Sequence, residues 1–260
     1  MKKEKHKAEK RAEPVKIGVI SGKGGTGKTT ISISIAYALA KKGYKTGLLD
    51  VDLTGPNVSD ILGKKDVEVV NDRMIPAENL GIKYLSLGQI ASEGDPILWD
   101  GKDIESASRQ LLERTNWGNL DYIIVDFPPG TGSEPQALIP CMDYVVIVTI
   151  PSVLSESNVK RMIEMCREKQ VPILGLIKNM TRFKCPNCNM EYNVFPEDHS
   201  FKDIPTLAEF PIDPKVAENK IINHFPIEKV LDAMKNPIIL KPRKRSIRRL
   251  LIELFIKKMG

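Results

Sequence analysis

A glycine-rich loop between a buried strand and a helix constrains this 260-residue chain more than any other feature. The apolar run Val15–Ile20 leads into residues 22–29, GKGGTGKT, which match the pattern G-x-x-x-x-G-K-[ST]. The stretch Thr29–Lys42, ended by Gly43, predicts the helix that follows. Glycines let the backbone curl so that several N–H groups point at one anion, and the N-terminus of the helix adds its positive end. The sequence therefore predicts a site for the phosphate groups of a nucleotide.

Two lysines and a threonine of this loop have predicted chemical roles. Lys28 is expected to reach the β- and γ-phosphates of ATP, and the Thr29 hydroxyl is expected to ligate Mg²⁺. Lys23 is a second cation near the leaving phosphates, where positive charge stabilises a transition state. The predicted nucleotide-binding residues of the loop are Gly22, Lys23, Gly24, Gly25, Thr26, Gly27, Lys28, Thr29 and Thr30.

Further apolar runs rich in valine and isoleucine recur along the chain, with helical stretches between them. Because these runs do not alternate with polar residues, they predict strands buried on both faces of a sheet. Strands that alternate with helices predict an α/β fold, a P-loop NTPase with a mostly parallel central sheet flanked by helices on both faces. The predicted strands after the first are Thr46–Leu49, Ile82–Leu87, Tyr122–Val125, Tyr144–Ile150 and Ile173–Ile177, and the further helices are Asp103–Arg114 and Ser155–Lys169.

Composition and charge exclude several classes of protein and suggest how the chain is divided. Its 42% hydrophobic content excludes low-complexity disorder for most of its length, and its longest apolar runs fall far short of the roughly 20 residues that a membrane span needs. Four cysteines do not make a disulfide scaffold, and no apolar segment follows the charged N-terminus, so we expect a cytoplasmic protein. We expect a basic flexible tail over 1–14, an ATPase domain over 15–240 with a long irregular loop at 181–205, and a basic amphipathic helix over 241–260.

Three aspartates end predicted strands near the phosphate loop. Asp50 and Asp52, in LLDVD, are spaced to face the same side, and Asp126 ends the apolar run YIIVD. Because ligands of open parallel sheets bind at the carboxyl ends of the strands, these acids are expected beside the phosphates. We expect Asp50 and Asp126 to hold Mg²⁺, and Asp52 to orient the attacking water. The proline- and glycine-rich turn at 127–132 predicts a switch loop that orders with ATP.

A second chemical feature is the cysteine pair Cys185 and Cys188, spaced C-x-x-C within the loop at 181–205. Two thiols at this spacing can bind one metal centre, but a tetrahedral ion or an iron–sulfur cluster takes four ligands. The missing pair comes most simply from a second copy of the chain, related to the first by a two-fold axis. A shared Zn²⁺ and a bridging iron–sulfur cluster fit the spacing equally well.

The other two cysteines, and the residues within and just after the C-x-x-C pair, help to decide which kind of site the pair forms. Cys141 and Cys166 fall at the entry to a predicted strand and inside a predicted helix, where a cysteine usually acts as a small buried hydrophobe. A redox dithiol normally opens a helix, whereas Pro186 and Asn189 indicate a turn. We therefore expect a metal-binding knuckle.

The form KGGTGKT resembles the deviant P-loop class that includes MinD, ParA and the nitrogenase iron protein. This resemblance implies an ATP-dependent homodimer in which Lys23 crosses the interface to the partner's nucleotide. From about Val15 to Asp213, the chain also resembles the Mrp/ApbC family of iron–sulfur carrier ATPases. The shared motifs are SGKGGTGKTT, LLDVDLTGPN, WGNLDYIIVDFPPGTG and GLIKNMTRFKCPNC.

The Mrp/ApbC resemblance implies a defined function and site. It implies ATP hydrolysis at a dimer interface and a labile [4Fe–4S] cluster bridged by Cys185 and Cys188 of both subunits. The implied partners are a cluster scaffold and apo iron–sulfur proteins, which receive the cluster. The same resemblance implies that Asn179 of IKNM, with Pro211 and Asp213 of FPIDP, lies near the adenine base.

The chain departs from that family in three motifs. Ser133 follows the PPGTG turn where the family usually has aspartate, which bears on the rate of hydrolysis. Trp99-Asp100-Gly101-Lys102 stands where the family usually has tryptophan-arginine-glycine-proline. Asn189 follows the cysteine pair where glycine is usual, and asparagine still tolerates a positive φ.

The basic C-terminal segment is compatible with a second function. In residues 247–255 the apolar side chains form one helical face and the arginines another, a pattern typical of helices at anionic membrane surfaces and also of helices docked on their own domain. The alternative is therefore a MinD- or ParA-like positioning ATPase that acts at a membrane surface or on DNA. The cysteine pair favours the carrier. Nucleic acid is the weaker partner, because no aromatic residues interleave the basic run.

Overall fold

The fold comes from a computed structural model that describes residues 13–52, 55, 57–90, 101–185, 187–188, 190–195, 201 and 204–242. The strands are β1 (Val15–Ser21), β2 (Thr46–Asp50), β3 (Glu68–Val70), β4 (Arg73–Ile75), β5 (Ala77–Asn79), β6 (Ile82–Ser86), β7 (Tyr122–Asp126), β8 (Tyr144–Thr149), β9 (Ile173–Lys178), β10 (Arg182–Lys184), β11 (Glu191–Asn193) and β12 (Thr206–Glu209). The helices are α1 (Lys28–Lys41), α2 (Val58–Leu62), α3 (Leu87–Ile90), α4 (Gly101–Arg114), α5 (Ser133–Leu138), α6 (Val153–Lys169), α7 (Pro214–Asn219) and α8 (Ile227–Ala233). A 3₁₀ turn covers Ile139–Cys141.

The central sheet has the strand order β12-β9-β8-β1-β7-β2-β6-β5. Its six inner strands are the six apolar runs predicted from the sequence, and they pair in parallel. The two edge strands were not predicted, because β5 and β12 are short and carry polar residues on a half-exposed surface. β5 pairs antiparallel with β6, while β12 continues the parallel pairing on β9.

Helices cover both faces of the sheet, as the sequence predicts. On one face, α4, α5 and α6 place buried residues such as Leu111, Leu138 and Met162 against the strands. On the other face, α1, α2 and α8 bury residues such as Ile35 and Val230. Non-alternating apolar strands require such cover on both sides, because each successive side chain points to the opposite face. The prediction of a P-loop α/β fold is confirmed.

The loop at 181–205 is more ordered than the expected irregular insertion. Its described residues include an antiparallel hairpin of β10 and β11, and Phe183 pairs with Tyr192. Polar and aromatic residues alternate in RFK and EYN with the period of a strand, but three residues are too few to reveal a strand in the sequence. The expectation of a long irregular insertion was therefore wrong for the described residues that form the hairpin.

The basic ends of the chain fall largely outside this description. The expected tail over 1–14 is described only at 13 and 14, and the expected helix over 241–260 only at 241 and 242. Among the described residues, no helix combines the length and the apolar character that crossing a membrane requires.

Candidate functional site

The phosphate loop joins the end of β1 to the start of α1, at the carboxyl edge of the sheet. Gly25 and Gly27 have φ angles of 75° and 81°, in the left-handed region that glycine adopts without strain. A Cβ on Gly27 would lie 2.2 Å from Nδ2 of Asn179, so the loop packs there against the segment after β9. Gly24 and Gly25 have open space where a Cβ would be. The loop is thus fixed on its inner side and open toward the cavity beside it.

Asp126 is the centre of the hydrogen bonds around this loop. It is fully buried at the end of β7, and its carboxylate accepts hydrogen bonds from Nζ of Lys28 at 2.8 Å, Oγ1 of Thr29 at 2.7 Å and Oγ of Ser32 at 2.7 Å. The Lys28 ammonium also lies 3.8 Å from the Asp52 carboxylate. A buried carboxylate needs such partners, because an unpaired charge there costs several kcal/mol. Asp126 of β7 is therefore the common hydrogen-bond acceptor for three side chains of α1.

Asp50 occupies the equivalent position on the neighbouring strand. Asp50 and Asp126 are register partners between β2 and β7, and both are fully buried. Asp50 accepts hydrogen bonds from Oγ of Ser86 and from the backbone N–H groups of Asp52 and Val58. Burial and the charge of Asp126 raise the pKa of Asp50 to about 7. The backbone hydrogen bonds and the charge of Lys28 lower this pKa, but by less. The two strand-end carboxylates therefore oppose each other's ionisation.

A cavity of about 580 Å³ opens over the loop, a size typical of ligand sites. Lys23, Asp52 and the loop residues 24–30 line it. The ammonium group of Lys23 has no hydrogen bond or ion pair to any residue in the described part of the chain. Buried Oγ1 of Thr26 also lacks a hydrogen-bond partner there. Both groups can satisfy phosphate oxygens, and Thr29, Asp50 and Asp126 offer the oxygen ligands that Mg²⁺ prefers, so these residues fit a bound Mg–nucleotide.

Several residues of the cavity were not predicted from the sequence. Asn57, Asp60 and Ile61 approach from α2, while Glu218, Asn219 and Lys220 approach from the end of α7. These residues carry no motif, and only the tertiary fold brings α7 to the phosphate loop. The signal that could have found α7 is the aspartate–proline start of a helix, since Asp213 caps it.

The three residues expected near the adenine base lie in different places. Asn179 is buried and donates from Nδ2 to the backbone oxygen of Thr26 at 2.9 Å. Asp213 caps α7 by accepting from the backbone N–H of Lys215 at 2.8 Å, and Pro211 is exposed. None of the three lines the cavity, but Asn179 and Asp213 position the loop and the helix that do.

The predicted switch loop at 127–132 lies against the phosphate loop. The N–H of Gly130 donates to the carbonyl oxygen of Ser21 at 2.8 Å, and Pro129 lines the cavity. Ser133 begins α5, and the charge of the next residue, Glu134, interacts with that of Asp52. Burial raises the pKa of Glu134, and the charge of Asp52 raises it further. Glu134 is therefore an acid near the predicted water-orienting residue that the motifs did not reveal.

The cysteine pair lies at the tip of the hairpin. The N–H of Cys185 donates to the carbonyl oxygen of Met190, which continues the pairing of β10 with β11. Backbone N–H groups of Cys188 and Asn187 point at the Cys185 sulfur and lower the pKa of its thiol. Such N–H groups stabilise the thiolate, the form that binds metal. Cys185 is half-buried and Cys188 is exposed.

Among the described residues, Cys185 and Cys188 have no further metal ligand beside them in the same chain. No group of three or more His, Cys, Asp or Glu side chains in the described residues is placed to hold a metal ion. Cys166 is fully buried on α6, where burial raises the pKa of its thiol to about 12, and Cys141 is half-buried in the 3₁₀ turn. The prediction that Cys166 acts as a buried hydrophobe is confirmed.

Comparison with known proteins shows the family to which the chain belongs. A model of the ParA family, described as NUBPL iron-transfer P-loop NTPase, matches residues 14–234. The chain belongs to this family. It is 41% identical over 213 residues to an iron-sulfur cluster carrier protein of Aquifex aeolicus, covering 78% of this chain and 58% of that protein. It is 37% identical over 216 residues to a cytosolic Fe-S cluster assembly factor, a Nubp2 homolog of Anopheles gambiae, covering 77% and 83%.

Solved structures of related proteins share the fold. A nucleotide-binding protein of Archaeoglobus fulgidus, solved with ADP, has a TM-score of 0.68 and 31% identity, covering 88% of this chain and 94% of its own. The cell division ATPase MinD of Pyrococcus furiosus has a TM-score of 0.64 at 21% identity, covering 86% and 99%. The second likeness concerns the fold alone. The sequence-based identification of an iron–sulfur carrier of the MinD/ParA class is confirmed at the level of the family.

The raised pKa of Asp50 predicts a pH-dependent effect of Asp50→Asn on stability. The folded protein binds the Asp50 proton more tightly than the unfolded chain, so this carboxyl destabilises the fold as pH rises from about 4 to about 7. We expect the free energy of unfolding of Asp50→Asn, relative to the parent, to increase between pH 5 and pH 8 in urea titrations without nucleotide. Asp232→Asn, at an exposed acid of α8, is the control and should show no such trend. A difference that stays constant with pH contradicts the argument.

The contact between Asn179 and Thr26 predicts a role in nucleotide binding. Asn179→Ala removes the donor to the Thr26 carbonyl, which is worth about 1 kcal/mol, so ADP affinity should fall about fivefold in calorimetry. Asn179→Asp places a second acceptor against the same carbonyl and should be worse. Asn193→Ala, on the exposed side of the hairpin, should bind ADP like the parent. Parent-like affinity in both Asn179 variants would show that the contact does not shape the loop.

Proposed function

We propose that this chain is an ATP-binding and hydrolysing homodimer that binds a [4Fe–4S] cluster between its two copies and passes it to apo-proteins. The observation that carries the proposal is the connection between the two sites. Asn179 holds the phosphate loop at Thr26 and stands six residues before Cys185, so one short segment joins the nucleotide site to the metal-binding thiols. The family description and the carrier names of the relatives support the same function.

In the nucleotide site, the charged side chains have distinct roles in binding and hydrolysis. Lys28 exchanges part of its contact with Asp126 for the β- and γ-phosphates, and Lys23 contributes its charge to the nucleotide of the second copy. Bound Mg²⁺ neutralises charge on the phosphates and suits Thr29, Asp50 and Asp126 as ligands. Asp52 orients the attacking water, with Glu134 beside it.

In the thiol site, two copies supply the four ligands that a cluster requires. The lowered pKa of Cys185 favours the ligating thiolate, and each chain offers one C-x-x-C pair in its described part. The cluster is cargo, so its ligands must also release it, and a site shared by two chains opens when the chains separate. A shared Zn²⁺ remains the alternative occupant, because thiolate ligands bind zinc as well.

The proposed partners follow from the cargo. Apo iron–sulfur proteins receive the cluster and a scaffold supplies it, and a reducing compartment such as the cytosol keeps the exposed Cys188 thiol free. The positioning ATPase has no support of its own, because residues 243–260 of its expected membrane-binding helix lie outside the described part. We also propose the division of the chain into a basic tail, an ATPase domain over 15–240 and a terminal helix.

The two lysines of the loop should separate nucleotide binding from hydrolysis. Lys28→Gln removes the ammonium that reaches the phosphates, and we expect ATP turnover to fall at least about 100-fold, with weaker ADP binding. Lys23→Ala removes a cation that has no partner among the described residues, so ADP binding should remain while hydrolysis is lost. Turnover assays and calorimetry measure both effects, and circular dichroism checks the fold. Unchanged turnover in Lys28→Gln contradicts the proposed role of the loop.

The cysteine pair should determine cluster binding. After anaerobic reconstitution with ferrous iron and sulfide, the parent should bind about four irons per two chains and show the broad visible absorbance of an iron–sulfur cluster. Cys185→Ala and Cys188→Ala should lose both signals, whereas Cys141→Ala should keep them because Cys141 lies in the 3₁₀ turn, away from the hairpin. Zinc without iron in protein purified under argon would favour the alternative occupant. Full iron binding by Cys185→Ala would disprove the ligand assignment.

A further inference from the structure

A second cavity lies at the edge of the central sheet opposite to the phosphate loop. Lys16, at the start of β1, lines this cavity, whereas the loop follows the end of that seven-residue strand. The length of the strand separates the two cavities by roughly 20 Å. The second cavity has a volume of about 670 Å³, somewhat more than the cavity over the loop. We call it the amino-edge cavity, and Lys16, Arg73, Trp117 and Cys141 are among the residues that line it.

The wall of the amino-edge cavity contains a buried donor without an acceptor. Trp117 is 6% exposed, and its indole Nε1 has no hydrogen-bond partner among the described residues. A Cβ on Gly47 would lie 3.2 Å from Cε3 and 3.3 Å from Cζ3 of the indole, so that edge of the ring packs on β2 and the N–H lies on the opposite edge. Buried N–H groups are rarely left without an acceptor, because the lost hydrogen bond to water destabilises the fold. The cavity that Trp117 lines is therefore where we expect an acceptor.

Basic residues outnumber acidic ones in the lining. Lys16, Arg73 and Arg109 are the three basic residues and Glu13 and Glu113 the two acidic ones, so the net charge of the lining is +1. Nζ of Lys16 is paired with Glu13 at 3.2 Å. The guanidinium of Arg73, on β4, has no hydrogen bond or ion pair to any residue that the structure describes. The cavity therefore presents a planar cation whose donors match the two oxygens of a carboxylate.

The rest of the wall is apolar. Ile123 of β7 is buried, Leu112 of α4 packs against the same hydrophobic core, and the indole ring of Trp117 adds an aromatic surface. Ligand sites commonly combine such a wall with a small number of polar groups that fix the orientation of the ligand. The amino-edge cavity has both parts, since the Arg73 guanidinium and the Trp117 N–H are its polar groups without a partner in the described part of the chain.

We propose that the amino-edge cavity binds an organic carboxylate with a small apolar body. The carboxylate pairs with the guanidinium of Arg73 and accepts the hydrogen bond of the Trp117 N–H, and the apolar body packs on Leu112 and Ile123. A lining charge of +1 suits a monoanion. A phosphate ester carries nearly two negative charges at neutral pH, which Glu113 opposes. The cavity is separate from the nucleotide and from the cysteine pair, so the inference does not depend on the carrier function.

Cys141 gives the cavity a chemical reporter. Its half-buried thiol lines the cavity from the 3₁₀ turn, so a bound ligand should shield it from alkylation. Iodoacetamide and iodoacetate have nearly the same shape, but only iodoacetate carries a carboxylate. Mass spectrometry of the peptide that contains Cys141 measures the rates of both reagents without interference from Cys185 and Cys188.

Benzoate is the probe, and benzamide is its uncharged control. The titrations use full-length Trp99→Phe protein, in which Trp117 is the remaining tryptophan, with saturating Mg–ADP to occupy the phosphate loop. We expect benzoate to change the emission of Trp117 with a dissociation constant of about 1 mM. Over the same range of concentration, benzoate should slow the alkylation of Cys141 by iodoacetamide. Benzamide should do neither.

Three variants test the assigned groups. Arg73→Gln should raise the benzoate dissociation constant at least about fivefold, and should lower the rate of Cys141 alkylation by iodoacetate relative to iodoacetamide at least about twofold. Glu113→Gln removes the opposing carboxylate and should tighten benzoate binding about threefold. Trp117→Phe loses the N–H, so the protection of Cys141 should need at least about threefold more benzoate. Arg161→Gln, at an exposed arginine of α6, is the matched control and should behave like the parent.

Calorimetry of ADP binding and circular dichroism check the fold of each variant. Benzoate that changes neither the emission of Trp117 nor the alkylation of Cys141 overturns the inference. Benzamide that binds as tightly as benzoate also overturns it, because the cavity would then select no anion. Parent-like affinity for benzoate in both Arg73→Gln and Trp117→Phe does the same. If Trp117→Phe does not fold, the opposite shifts expected for Arg73→Gln and Glu113→Gln decide, since both of these residues are exposed.

Discussion

The arrangement of the site depends on the buried pair of Lys28 and Asp126. A carboxylate without solvent contact at the end of β7 is tolerable only because three donors of α1 converge on it. Those donors fix the first turn of α1 against the sheet, and α1 in turn fixes the phosphate loop that precedes it. The curled backbone of the loop and the position of its lysine are thus consequences of one buried charge pair.

The same pair does not balance the negative charge of the protein groups in the site. Lys28 faces three acids: it contacts Asp126 and Asp52, and its charge opposes the raised pKa of Asp50. One ammonium cannot neutralise two or three neighbouring carboxylates in a medium of low dielectric constant, so the pKa of Asp50 is raised to about 7. A divalent cation removes this conflict. In the proposed function, Mg²⁺ brings this positive charge into the site together with the phosphates.

The sequence predicts this centre well because its signals are local. The six apolar runs become the six inner strands, and residues 22–29 become a loop between β1 and α1, since burial on both faces leaves its mark in every residue. The edge strands β5 and β12 leave no such mark, and the rim residues Glu218 and Lys220 reach the cavity only through tertiary packing. The only sign of the hairpin in the sequence is the alternation of polar and aromatic residues in RFK and EYN. These two segments of three residues are too short to predict strands next to so many turn residues.

The segment from Asn179 to Ile212 shows why the two chemical sites should be considered together. Its first residue contacts the phosphate loop, its middle carries the cysteines, and its last described contact returns to Arg182 beside the start of α7. Both ends of the cysteine hairpin are therefore tied to the nucleotide cavity. Any change in the loop that alters the contact between Thr26 and Asn179 shifts the base of the hairpin, because only Met180 and Thr181 intervene. If the proposed metal binding at the cysteine pair is right, linkage requires it to alter nucleotide affinity by the same factor as nucleotide alters metal affinity.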